Sequence, residues 1–266
     1  MVADQTVSLQ NRFDTLIRFF MYVMIFWLPY GAAVVETCII LAFVVWFIKR
    51  TTLLCIQDHS GRVWFKRLES TFIAYQPKNS SLNVWIALFF IACCFSALGS
   101  VFLEKSLYSL VTKTSEWFIV FFLMLEVFYE KKYIKIALIV LLFTAFSTVL
   151  DGFYQFYVSR QDIFMHRTLA LGEGAKASFK SSNSFAGYLL IPLFVVFSLL
   201  LRQGLKKSTF VLCAFIFLVF FWALCISFSR GAYLAAFIGM IYFLFSRAMI
   251  VKKNSTGRHL YWPLSV

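Results

Sequence analysis

The sequence has little charge, and what it has is mostly of one sign. Only 14% of its 266 residues are Asp, Glu, Lys or Arg, and only 12 of them are acidic. A soluble domain carries about 25% charged residues, so a water-soluble globular fold is excluded. The sequence also lacks short segments of alternating polarity, which excludes a transmembrane β-barrel. Its six cysteines (Cys38, Cys55, Cys93, Cys94, Cys213, Cys225) show no zinc-ligand spacing. Five fall in apolar runs, where they read as small buried hydrophobes, and Cys55 falls in a basic loop. No internal repeat and no domain boundary is evident. The net charge of +13 invites a nucleic-acid reading, but no basic domain interleaved with aromatics is present to carry one.

What the sequence has in abundance is apolar length. Hydrophobic residues make up 61% of the chain, aromatics 20%, and phenylalanine alone occurs 34 times; the mean hydropathy is +0.82. This composition predicts an all-α, polytopic transmembrane helical bundle. Expected spans are 14–30, 32–48, 83–102, 115–129, 133–157, 183–201, 209–228 and 231–247, about eight in one transmembrane domain covering 1–266. The polar start followed by an apolar run also has the form of a signal peptide. The run resumes directly after Pro29-Tyr30-Gly31, however, so a helical hairpin is the preferred reading. Residues Arg62 to Tyr75 have an amphipathic pattern, fitting either a helix on anionic lipid or a solvated loop. Leu107, Leu110 and Val111 recur at helical spacing and predict a short interfacial helix between the third and fourth spans. Asp151 lies inside the fifth span near its outer end.

The positive charges orient the chain. With the N-terminus inside, 18 of the 25 Lys and Arg residues fall in inside segments, as the positive-inside rule expects. Both termini are then cytoplasmic. Of the seven outside, five sit in two places: Arg160, Arg167, Lys176 and Lys180 in the external loop 158–182, and Arg230 in Ser227-Phe228-Ser229-Arg230-Gly231.

An arginine between two membrane-length segments is costly unless it meets water, a polar cavity or an anion. The sixth and eighth spans both begin outside, so their N–H-rich, partly positive ends point there and favour phosphate. Ser181, Ser182 and Asn183 are suitable N-caps. Arg230 can fork two hydrogen bonds onto phosphate oxygens, Ser229 flanks it, and Gly231 would admit a ligand or a neighbouring backbone. These features describe a site for an anionic, amphipathic, phosphorylated ligand. Other readings stay open: Arg230 can snorkel to headgroups, and His166 and Arg167 also fit as plain loop residues. Histidine is a side-chain type suited to proton transfer, which makes His166 a candidate for a catalytic base, with no partner carboxylate assignable to it.

Two stretches resemble a known family. Phe179-Lys180-Ser181-Ser182-Asn183-Ser184-Phe185-Ala186-Gly187-Tyr188-Leu189 is similar to the F-x-x-x-N-x-x-A-x-x-L segment of the O-antigen ligase and polymerase superfamily. Ser227-Phe228-Ser229-Arg230-Gly231-Ala232-Tyr233-Leu234 is similar to that family's S-x-S-R-G-x-x-L segment, and Ser96 to Leu110 to its third-span region. The resemblance implies metal-independent, cofactor-free glycan transfer at the outer face of the bacterial inner membrane. The donor would be a glycan on undecaprenyl pyrophosphate, and the acceptor a lipid, a growing glycan or a protein. It implies that Arg230 binds the pyrophosphate, with Arg167 as the second loop arginine and Lys176 as its rival. Members of the family carry a further large external loop whose histidine acts as base. This sequence departs from the pattern there, since His259 is expected inside. A truncated or split member is therefore one expectation. A transporter or lipid-binding protein for anionic substrates, or a non-catalytic membrane fragment or partner, are the others.

Overall fold

The computed structural model describes residues 2–57, 82–202 and 204–255, and these are helical throughout apart from their connections. The helices are α1 (Val2–Trp27), α2 (Ala32–Gln57), α3 (Asn83–Leu98), α4 (Leu103–Ser109), α5 (Ser115–Val127), α6 (Lys131–Tyr154), α7 (Ser182–Leu200), α8 (Lys207–Ile226) and α9 (Arg230–Ser255). No strand occurs among the described residues; the nearest approach is an isolated antiparallel bridge between Gln161 and Thr168. The amphipathic stretch at 62–75 and His259 lie outside the described residues.

Among the described residues, five helical segments are long and apolar enough to cross a membrane: Ala32–Leu53, Lys131–Ser159, Ser182–Leu200, Lys207–Ile226 and Arg230–Met249. The chain is a helical, multi-pass membrane protein on that basis. Helix α3, of 16 residues, falls short of the ~20 residues a span needs. The short helix expected between the third and fourth spans is present as α4. It continues through a π turn (Leu110–Thr114) straight into α5, because no Pro or Gly interrupts 103–127. The hairpin expected at Pro29 forms, with the N–H groups of Tyr30 and Gly31 donating to Trp27 O at 3.0 and 3.1 Å. Cys38 and Cys213 are buried as expected, whereas Cys225 is exposed.

The chain divides into two compact units: Met1–Ile25 with Ala33–Lys135, and Phe26–Ala32 with Ile136–Val266. The first unit joins α1, α2 and α5 through buried charge. Lys49, 2% exposed, donates from Nζ to Asp14 Oδ1 at 2.6 Å and to Glu126 Oε1 at 2.7 Å. Glu126 Oε2 also accepts from Arg50 (2.8 Å) and the Trp46 indole (2.7 Å). Arg18 lies over the Tyr133 ring at 3.8 Å.

The second unit packs α7, α8 and α9 against α6 around Phe185, Leu189, Leu193, Phe220 and Leu224. Gly239 of α9 lets α7 come close, since a Cβ there would stand 2.2 Å from Phe194 Cζ. Because α8 runs back in the opposite direction, α7 and α9 start at the same end of this unit. The loop between α6 and α7 caps that end.

Candidate functional site

The capping loop is folded by polar side chains of α6 and its terminal π turn (Gln155–Ser159). Asp151 and Gln155 are four residues apart on one helical face and are 1% and 0% exposed. Asp151 Oδ1 accepts the Ile163 N–H at 2.7 Å, and Oδ2 accepts the Ser178 hydroxyl at 2.9 Å. Gln155 Oε1 accepts the N–H groups of Lys176 and Ala177, each at 2.9 Å, and its amide donates to Arg167 O at 3.1 Å. Asp162, also buried, accepts the Met165 N–H at 2.6 Å and the Arg167 N–H. Leu169 N–H closes the hairpin onto Arg160 O at 2.7 Å. A loop beside hydrocarbon must satisfy its backbone internally, and these three side chains do so.

The second polar segment is the α8–α9 turn. Ser227 and Ser229 are buried, and Ser229 N–H donates to Ser227 Oγ at 3.3 Å. The Tyr233 hydroxyl donates back to Cys225 O.

The loop and the turn touch backbone to backbone. Ala175 N–H donates to Ile226 O at 2.8 Å. Gly174 lies so close to Ser227 that a Cβ on it would stand 2.0 Å from Ser227 O, so only glycine fits there. Phe156 and Phe228 meet edge to face at 5.8 Å. The described non-glycine residues with positive φ are Arg160 (58°), His166 (54°), Ala177 (47°) and Phe228 (54°), and all belong to these two segments. Left-handed backbone costs an L-residue about 1–2 kcal/mol, and such strain gathers at ligand-handling sites.

Arg230 is the first residue of α9, exposed, three residues from the Ser227 contact. Gly231 next to it is also exposed, with open space where a Cβ would be, so no neighbouring backbone uses the room it leaves. Arg167 is half-buried, its Nη1 donating to Ser178 O. Lys176, its rival, is held by Glu173 at 2.6 Å. That ammonium, and then the Ala170 N–H, keep the Glu173 carboxyl below its ordinary range. Asn183 is exposed in the first turn of α7. Ser181 is the N-cap, its Oγ accepting the Ser184 N–H at 3.2 Å. His166 is exposed at the left-handed tip of the hairpin.

Sequence reasoning singled out Asp151 but missed Gln155, Asp162 and Gly174. The i, i+4 spacing of Asp151 and Gln155 near the end of an apolar helix was the available signal. No such signal existed for Gly174, whose partner is 53 positions further along the chain. No group of three or more metal-ligating side chains forms among the described residues.

No protein-family model, no curated protein and no solved structure matches the chain.

Proposed function

We propose that the loop end of the second unit binds a lipid-borne diphosphate, and that the chain takes part in glycan transfer from an undecaprenyl pyrophosphate carrier at the outer face of a bacterial inner membrane. About eight spans, with both termini cytoplasmic, are part of this proposal. The observation that carries it is the docking of loop residues 174–175 on turn residues 226–227. That contact joins the segments holding Arg167 and Arg230, and it places the N-termini of α7 and α9 at the same end. Helix N-termini and guanidinium forks are the groups that hold phosphate. The carboxylates nearby are already committed: Asp151 and Asp162 to the loop and Glu173 to Lys176. Positive charge at this end is therefore left over for a ligand.

In this reading Arg230 clamps the diphosphate leaving group, Arg167 supports it from the loop, and Ser229 and Asn183 offer hydrogen bonds beside it. His166 is the base candidate in this part of the chain. The acceptor is a lipid or a glycan. An anion transporter would instead need a polar path across the bundle. The buried polar face of α6 runs only from Thr144 to Gln155, and its outer members are spent on the loop backbone.

The test is glycan profiling of a deletion strain complemented with variants. Loss of a charge-assisted contact of about 1.5–3 kcal/mol predicts a transfer rate lowered roughly ten- to hundredfold in Arg230→Ala. Arg230→Lys, which keeps the charge and loses the fork, should fall between. Normal glycan transfer by Arg230→Ala removes the proposal.

A further inference from the structure

The loop between α6 and α7 presents apolar side chains in a place where a water-facing loop would hide them. Ile163, Phe164 and Met165 are consecutive, and their exposures are 50%, 52% and 38%. Leu171, in the next turn, is 90% exposed, and Phe228 in the facing turn is 55% exposed. A loose segment would fold such residues inward, but this one is held. Asp151 fixes the Ile163 N–H, and Asp162 fixes the N–H groups of Met165 and Arg167. Two buried carboxylates hold an apolar tip outward, and an exposed apolar patch of this kind marks an interaction surface.

The depth of this surface is also marked. Trp222, near the end of α8, donates its indole N–H to the Tyr157 hydroxyl at 3.0 Å, and both rings are exposed. Exposed Trp and Tyr with a polar edge sit at the headgroup level of a bilayer. Gly174 touches Ser227, and Leu171 is three residues away, so it lies within about 11 Å of that turn. Leu171 therefore lies at the same end of the unit as the exposed Tyr157 and Trp222, and Ile163 is tied to Asp151 beside the exposed Leu150. Arg160, Lys180 and Arg230 are exposed around it.

We propose that this rim is seated in the headgroup layer of an anionic leaflet. Ile163, Phe164, Met165, Leu171 and Phe228 dip below the phosphates, and Arg160 and Lys180 pair with them. The occupant is lipid because the patch shares its end of the unit with the exposed Tyr157 and Trp222 and because its spare charge is positive. Basic residues at such a surface are drawn to anionic lipid. The inference rests on the second unit being membrane-embedded and does not need glycan transfer; either reading can fail while the other stands.

The experiment reconstitutes the full chain, with its native cysteines replaced, in phosphatidylcholine–phosphatidylglycerol vesicles. Nitroxides are placed at Phe164→Cys and Leu171→Cys. Phe237→Cys, on the exposed face of α9, serves as the hydrocarbon reference. Collision with oxygen over a water-soluble nickel chelate should be severalfold favoured at 164 and 171, approaching the Phe237 site. The preference should shrink in phosphatidylcholine alone and in the Arg160→Gln/Lys180→Gln variant. An otherwise native Leu171→Trp chain provides a second readout, since lipid brominated close to the headgroup should quench the added emission. Nickel preference at both sites, or no added quenching, overturns the proposal. Weak collision with both reagents means that protein covers the tip and overturns it as well. A depth indifferent to anionic lipid refutes the phosphate pairing.

Discussion

At the scale of single residues, the site depends on side chains that contact the loop backbone. Gln155 satisfies the N–H groups of Lys176 and Ala177 together. Gln155→Ala leaves both without their acceptor and should destabilise the loop by about 1–3 kcal/mol. Amide exchange at 176 and 177 should quicken about tenfold for each ~1.4 kcal/mol lost, as hydrogen-exchange mass spectrometry would show. Tyr188 predicts the opposite sign. Its hydroxyl is buried with no hydrogen-bond partner, so Tyr188→Phe removes an unmet polar group and should raise the thermal midpoint in detergent. Glu173 gives a pH dependence. Its carboxyl is depressed by Lys176 and then by the Ala170 N–H, so its contribution to the 170–176 turn is present above the ordinary glutamate pKa. That contribution is lost as pH falls through the lowered value. Exchange at Ala170 N–H, measured against pH, should show the turn outlasting an ordinary glutamate on acidification and should lose that feature in Glu173→Gln.

At the scale of elements, two contacts decide how helices meet. Gly174 is the point where the loop lies on the α8–α9 turn. Gly174→Ala drives a Cβ into Ser227 O, a backbone atom that cannot swing aside, so loop and turn must separate at about 1–3 kcal/mol. Hydrogen exchange should then rise at Ala175, whose N–H bonds Ile226 O, while the core of α7 stays protected. In the first unit, Lys49 bridges Asp14 of α1 and Glu126 of α5. Glu126 keeps Arg50 if Lys49 is lost, but Asp14 is left buried and unpaired. Lys49→Met should therefore destabilise this unit by about 3–5 kcal/mol, and adding Asp14→Leu should recover much of it. Thermal unfolding of the purified single and double variants checks the order.

At the scale of the whole molecule, the prediction concerns sidedness. α7 is one helix of membrane length, so reporters fused in the 170–174 turn and at Gly204 should report opposite sides of the membrane. Reporters at 172 and 229 should report the same side. The helical, membrane-spanning class was legible in the sequence because apolar length and scarce charge are one-dimensional properties. The approximate position of the polar segments around Arg167 and Arg230 was legible for the same reason, since each interrupts an apolar run. Of the three N-cap candidates for α7, Ser181, Ser182 and Asn183, the structure uses Ser181, because three polar residues in a row offer the same chemistry and only backbone geometry selects one. Gly231 looked like the place of close approach, yet that role belongs to Gly174. A glycine's neighbours across space depend on how helices pack, which local sequence does not encode. Composition and charge pattern thus determined by themselves that this chain enters a membrane as helices with two cationic interruptions. Only the tertiary structure decided that those interruptions meet, because their contact is made by backbone atoms of Gly174, Ala175, Ile226 and Ser227, which carry no side-chain signature.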